Sequence, residues 1–421
     1  MRLLWIATKC PWPPIDGGRR LLLSELEALA AAGVALTLVA PCPGPDARRA
    51  EARRRLSPIC RPVLLPVGPR PWPVALALAA GRGLPTSVVR HTHAAVRLEA
   101  ARIVVGEAPD AVVAQPLQAW IAAATAVRRR LAPAGTSAAP VPLLLRAENV
   151  ESELWAARAA SESGWRAALF RREARRLARF EAAAVRGSRA TLALSPEDAA
   201  GLAALLGGGA PGISDSARVE TPRVHVLRPA FPATLPAGEA LAGSPPIVLF
   251  GSAGWGPNRE AERWFLTEVW PRIRALSPAA VLHRFAADAR NEAAGEGVVD
   301  HPAPRESAEA FAAGAVLVLP LRSGSGVRIR LLEAWARGVA VVGTAAAVRG
   351  LAGVDGRDWL LAADADGFAE AIRRLREAPE LAGRLIAGGR KQLGSDHDPS
   401  AMAAALRGLV EGFVDRPGAA R

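Results

Sequence analysis

The sequence predicts an α/β protein of two successive domains, each built on a parallel sheet. Three stretches carry that expectation. Val316-Leu317-Val318-Leu319 is an apolar run suited to a buried strand. It leads into the small-residue loop Ser323-Gly324-Ser325-Gly326, and then into an expected helix from Val327 to Arg337, with Ile329, Leu332 and Trp335 or Ala336 at helical spacing. Gly338 stops that helix, and Val339-Ala340-Val341-Val342 starts another strand. Near the other end of the chain, Leu3-Leu4-Trp5-Ile6-Ala7 is followed by a loop holding Gly17 and Gly18. A helical pattern over 21–31 and a strand over 34–39 come next. The third stretch is Ile247-Val248-Leu249-Phe250, a glycine-bearing loop from Gly251, and a helix with Ala261, Trp264, Phe265 and Val269. A strand–loop–helix–strand unit is the crossover between parallel strands, and its repetition implies doubly wound sheets.

The remaining elements follow in order. Residues 46–56, DARRAEARRRL, form a basic helix, and 62–85 are Pro-rich around Trp72. His91 and His93 would share one face if they lay in a strand, but no further His or Cys has metal-ligand spacing. Strands are expected over 111–114, ending at Gln115, and over 143–145, running into Arg146-Ala147-Glu148-Asn149-Val150-Glu151. From Glu151 to about Arg186 the chain is helical with breaks and rich in Arg. A strand over 191–194 meets Ser195-Pro196-Glu197-Asp198, a helix start capped by Ser195. A loop over 206–221, a strand over 224–227 and a linker within 232–246 complete the first half. In the second half, weaker strands are expected over 281–285 and 298–299. Asp364 reads as the cap of the next helix, and helices run to the end. The expected domains are 1–231 and 232–400, with a last helix in 401–421 packing back on the first.

The chain has 421 residues, half of them hydrophobic, with a net charge of +13 and a pI near 11.2. That length suits two domains. The positive charge does not point to nucleic acid: it comes almost wholly from Arg spread along helices beside Glu and Asp, with Lys only at Lys9 and Lys391. It does favour anionic partners. The three cysteines, Cys10, Cys42 and Cys60, show no metal spacing, and their odd number suits a reducing cytoplasm. No apolar run reaches transmembrane length. The Arg-rich helices and Trp72 admit a peripheral contact with a membrane, against the plainer reading of solvated faces.

The chemistry is expected where the 323–326 loop meets its helix. The unpaired N–H groups of a helix start attract phosphate, and glycine lets a ligand approach the backbone. Arg328 and Arg330 add charge for a diphosphate, and the carboxylate of Glu333 can take the two hydroxyls of a ribose. The loop after residue 250 spaces its glycines as GxxGxG. That is not the dinucleotide fingerprint, so no nicotinamide cofactor is expected.

Glu333-Ala334-Trp335-Ala336-Arg337-Gly338-Val339-Ala340-Val341-Val342 resembles the donor-binding signature of the family 4 glycosyltransferases of the GT-B fold. A sub-group with a GSGxRxKxLEA motif is nearer still. Pro11-Trp12-Pro13-Pro14-Ile15-Asp16-Gly17-Gly18 and Arg146–Glu151 resemble two further runs of that family, and Gly251 through Phe265 resembles a third. The resemblance implies two Rossmann-like domains facing across a cleft. It also implies metal-free, retaining transfer of a sugar from a nucleoside diphosphate sugar to a glycan or lipid-linked acceptor. No cofactor beyond the donor is implied. Synthesis of bacterial surface polysaccharide or glycolipid, in the cytoplasm or on the inner face of the membrane, is the corresponding setting. Gly17, Gly18, Gly251, Asn258, Ser325, Gly326, Val327, Arg328, Arg330 and Glu333 would bind the donor. Arg328, Arg330 and Glu333 would also form the catalytic set, and Glu148 and Asn149 would face the acceptor. Asp364-Ala365-Asp366 spells the DxD of metal-dependent glycosyltransferases, but capping accounts for it.

The sequence departs from the family pattern at Ser325, where a Glu is usual. It departs again at Gln115, where many relatives have His, and at Ala230-Phe231 in place of Asn-Gly. Those departures motivate a second reading: a non-catalytic protein of the same fold that binds a nucleotide sugar or a partner enzyme. Epimerisation of a nucleotide sugar is a third.

Overall fold

The computed structural model describes residues 1–130, 140–207, 223–251, 256–285, 295–304, 306–324 and 326–414. The strands are β1 (Arg2–Ala7), β2 (Ala35–Pro41), β3 (Arg61–Leu65), β4 (Ala111–Gln115), β5 (Leu143–Arg146), β6 (Ala190–Ala193) and β7 (Arg223–Val226) in the first half. In the second half they are β8 (Pro246–Phe250), β9 (Val281–Phe285), β10 (Val298–His301), β11 (Val316–Leu319), β12 (Ala340–Gly343) and β13 (Leu360–Leu361). They form two sheets, in the orders β3-β2-β1-β4-β5-β6-β7 and β10-β9-β8-β11-β12-β13, and every pairing is parallel. Both orders are doubly wound. The chain first steps outward from a central strand, then returns to the central strand's other side. The switch lies between β1 and β4 in the first sheet and between β8 and β11 in the second. Loops at the carboxyl ends of strands flanking such a switch form the usual ligand crevice.

The apolar runs account for the strands. β4, β5 and β11 are buried at every position, as a sheet covered by helices on both faces requires. Two strands escape the sequence reading. β3 carries Pro62, which has no N–H to give; as the sheet's edge strand β3 tolerates it. β13 is only two residues long. The helices mostly fall where apolar spacing puts them, and the caps hold: Ser195 Oγ accepts from Asp198 N at 3.1 Å, and Asp364 Oδ1 from Gly367 N at 2.8 Å. Two local expectations are corrected. His91 ends the Thr86–His91 helix and His93 precedes the Ala94–Glu107 helix, so the pair shares no strand face. The helix after the 323–326 loop begins at Ile329, not Val327, because Arg328 holds the non-helical cap position at φ −82°, ψ 92°.

The chain divides into two compact units. Met1–Trp12, Glu25–Pro229 and Ser400–Arg421 make the first; Pro13–Ser24 and Ala230–Pro399 make the second. In the first, a buried ion pair ties elements together. Arg146 bonds Glu25 through Nε at 3.0 Å and donates through Nη1 to the carbonyl of Leu227 at 2.6 Å. It thus fixes the Gly17–Ala31 helix, the end of β5 and the chain leaving β7. The Pro399–Val414 helix lies in the same unit, where Arg407 donates to the carbonyl of Ala32 at 3.1 Å.

Candidate active site

In the second unit the site grows from the turn between β11 and the Ile329–Arg337 helix. Gly324 and Gly326 take φ of +135° and +82°, conformations that favour glycine, and so turn the chain sharply into the helix. Leu331 N bonds back to Arg328 O at 2.9 Å, and among the described residues no side chain caps the start. The start of the helix thus presents the positive end of its dipole, and the amides of Ile329 and Arg330 have no acceptor within the helix.

A second helix start meets this one. Gly17 opens the Gly17–Ala31 helix, whose cap is Asp16: its Oδ1 accepts from Arg19 N at 2.9 Å. A Cβ placed on Gly17 would lie 3.4 Å from Cβ of Ile329. Two helix N-termini, one beginning with Gly17 and Gly18 and one following Gly324 and Gly326, thus come into contact within one unit. Both fields favour an anion there.

Arg330 lies beside this point, but not as the sequence suggests. Its guanidinium stacks 3.8 Å from the centroid of the Phe250 ring, and Nη1 donates to the carbonyl of Phe250. It therefore braces the end of β8 as well as adding charge. Burial draws its pKa down to about 10, against the pull of Asp16 and Glu333. Gly251 follows directly, with Asn258 Cβ only 3.8 Å from where a Gly251 Cβ would be. Val327 and Gly326 are buried in the turn, and Gly18 and Arg328 are half-buried. Ser325 lies outside the described residues.

Glu333 is the main surprise. It is only 3% exposed, and its contacts among the described residues all fall on Oε1. That oxygen accepts from Ser307 Oγ at 2.5 Å and from Arg337 Nε at 3.0 Å. Arg337 in turn donates to the carbonyl of Pro236 and lies over the Phe311 ring. The carboxylate is thus held rigid from one side. Its partners Ser307 and Arg337 escaped the sequence reading, although Arg337 lies one helical turn on, at the spacing of an intrahelical ion pair.

In the first unit, the expected acceptor-side residues Glu148 and Asn149 follow β5, beside Gln115 at the carboxyl end of β4. Gln115 is almost fully buried. It accepts from Trp5 Nε1 at 2.8 Å and donates to Glu148 Oε1 at 3.1 Å. Glu181 caps the next helix, accepting from Glu151 N at 2.8 Å and from Ser152 N and Oγ at 3.1 and 2.7 Å. Burial, with Glu181 as the nearest like charge, pushes the Glu151 carboxyl up to about 7; Gln118 and Asn149 bond it in opposition. Glu181 is raised as well, again by burial. A carboxyl poised near neutrality thus sits next to Glu148 and Asn149, and the sequence reading missed it. Among the described residues no group of three or more His, Cys, Asp or Glu is placed to hold a metal, and no helix is long and apolar enough to cross a membrane.

Residues 244–378, inside the second unit, match the family model described as glycosyl transferases group 1. Sucrose-phosphate synthase from Thermosynechococcus elongatus has a similar structure, with a TM-score of 0.65 at 17% identity over 99% of each chain. The fold is GT-B. HepE of Anabaena, in complex with UDP-glucose, is similar at a TM-score of 0.62 and 12% identity, over 98% of this chain and 100% of that one. α,α-Trehalose 6-phosphate synthase from Burkholderia multivorans gives 0.59 at 11% identity, over 99% and 100%. No curated protein matches by sequence. Over residues 244–378 the second unit of this GT-B chain thus resembles a glycosyl transferases group 1 domain.

Proposed function

We propose that the protein transfers a sugar, with retention of configuration, from a nucleoside diphosphate sugar to a glycan or lipid-linked acceptor. The observation that carries this reading is the meeting of two helix N-termini at Gly17 and Ile329. A leaving diphosphate bears charge that the protein must neutralise. Preorganised amides and nearby guanidinium groups do this without reorganisation, and they act most strongly where charge develops. The diphosphate sits on the amides around Gly326–Ile329, with Arg328 and Arg330 adding charge and Gly17 and Gly18 approaching from the other helix. Asn258 and Gly251 flank the sugar. Glu333 takes the ribose through Oε2, its Oε1 being already engaged. Glu148 and Asn149, with Glu151 close to neutrality, face the acceptor. The HepE structures with UDP-glucose and with UDP make a UDP sugar the first donor to try. Bacterial surface polysaccharide or glycolipid synthesis is the setting we infer.

The test is release of nucleoside diphosphate from a panel of nucleotide sugars with glycan and lipid-linked acceptors, beside calorimetry with UDP. Glu333→Ala should weaken nucleotide binding about tenfold or more, since a hydrogen bond to a charged group contributes about 1.5–3 kcal/mol. Unchanged affinity would remove Glu333 from the ribose.

One observation favours a second reading, a non-catalytic nucleotide-sugar or partner-binding protein. Gln115, where many relatives have His, is engaged by Trp5 and Glu148. Tight nucleotide binding with no turnover across the whole panel would support it over the first.

A further inference from the structure

The Trp72–Arg82 helix in the first unit is inside out. Of its 11 residues only Ala75 and Ala79 are buried, while Trp72, Val74 and Leu76 are 47, 47 and 45% exposed. An ordinary surface helix turns its larger apolar side chains inward; this one turns in two methyl groups and offers its bulk to solvent.

The exposed apolar surface continues. Trp72 meets Trp155 edge-on at 6.3 Å between ring centroids, and Trp155 meets Phe170 at 5.7 Å. This ladder of rings reaches the Gly164–Arg186 helix, where Trp165 is 73% and Leu169 40% exposed, one turn apart. Guanidinium groups cap the ladder: Arg90 lies over Trp72 at 4.6 Å and Arg158 over Phe170 at 4.3 Å.

The charge on the same helix is one-sided. It carries seven Arg and two Glu, and both Glu are turned inward. Glu173 accepts from the backbone of Thr86, and Glu181 caps the neighbouring helix. Arg172, Arg175 and Arg179 are exposed and continue the stripe that Trp165 and Leu169 begin, at spacings of three and four residues.

We propose that this face of the first unit docks on an anionic lipid bilayer. Val74, Leu76, Trp165 and Leu169 enter the boundary between headgroups and acyl chains, and the arginine row lies on the lipid phosphates. A second copy of the chain fits less well. A two-fold contact through this face would set one arginine row against its own image. Nucleic acid would use the arginines but has no place for Val74 and Leu76.

The full-length chain is floated with vesicles of phosphatidylcholine alone and with vesicles that also contain phosphatidylglycerol, at low and high salt. Binding is expected to the mixed vesicles only, weakening with salt. Each basic residue near an anionic surface is worth about fivefold in partition. The triple reversal Arg172→Glu, Arg175→Glu, Arg179→Glu should therefore lower it by about a hundredfold or more. Val74→Ser with Leu76→Ser should lower it about tenfold. Reversal of Arg48, Arg53 and Arg54 to Glu, on the other exposed basic helix, Asp46–Leu56, is the control for net charge and should have a far smaller effect. Equal losses from the two triple variants, equal binding to both vesicles or no binding to either would overturn the proposal. So would a concentration-dependent dimer abolished by the serine variant, or RNA binding abolished by the same arginine reversal.

Discussion

Burial, with Glu181 and Glu148 as like-charged neighbours, pushes the Glu151 carboxyl up from 4.5 to about 7. The folded chain therefore holds that proton more tightly than the unfolded chain does. The stability it contributes is whole below pH 4.5 and is lost as pH rises through about 7, by at most about 3 kcal/mol. His91 acts in the other direction. Burial, then Arg90, Lys9 and His93, lower its pKa from 6.5 to about 4. Its contribution is whole above pH 6.5 and is lost as pH falls towards about 4, by a similar amount. Between pH 4.5 and 6.5 the two slopes oppose each other. Urea unfolding across that range should show the Glu151→Gln variant gaining stability with rising pH relative to wild type, and His91→Gln losing it. Three parallel profiles would refute both assignments.

At the scale of the element, the helix that carries Glu333 depends on two glycines far along the chain. Trp335 is buried in the Ile329–Arg337 helix, stacks on Trp359 at 5.6 Å and donates Nε1 to the carbonyl of Asp358 at 2.9 Å. The Pro379–Asp396 helix passes over this indole at Gly389 and over Arg357 and Asp358 at Gly388. A Cβ on Gly389 would lie 2.1 Å from Trp335 Cδ1, and one on Gly388 would lie 2.2 Å from the carbonyl oxygen of Arg357. Gly389→Ala must displace either the indole or a whole helix. It should cost about 1–3 kcal/mol in urea unfolding and weaken nucleotide binding with it, because the displaced helix presents the first-turn amides. A stable variant with unchanged affinity would separate the two. The same helices show what the sequence could and could not say. The strand runs, the stop at Gly338 and the caps at Ser195 and Asp364 are local signals, and the structure keeps them. Pro62 hid an edge strand because its permissibility depends on sheet order. Ser307 lies 26 residues from Glu333, Pro236 lies 101 from Arg337, and Glu148 lies 33 from Gln115. No periodicity encodes such pairs. The positions of Gly17, Gly326 and Glu333 were therefore legible as candidates, but the locking of Glu333 and Arg330 was not.

At the scale of the molecule, both sheets are wound in the same order, and each offers a switch point at its carboxyl edge. The anion site proposed here nevertheless draws on distant parts of the sequence. The helix that leaves β1, the central strand of the first sheet, has its first turns within the second unit, against Ile329. A ligand bridging the two helix starts must stabilise both at once. Binding to the folded chain alone adds about 2.7 kcal/mol at a hundredfold excess over the dissociation constant. That gain should appear where the contacts are. Hydrogen exchange with saturating UDP should slow in residues 13–20 and in residues 326–333, while the Trp72–Arg82 helix exchanges as before. Slowing confined to 326–333 would take Gly17 and Gly18 out of the donor site. The anion would then rest on one helix start instead of two.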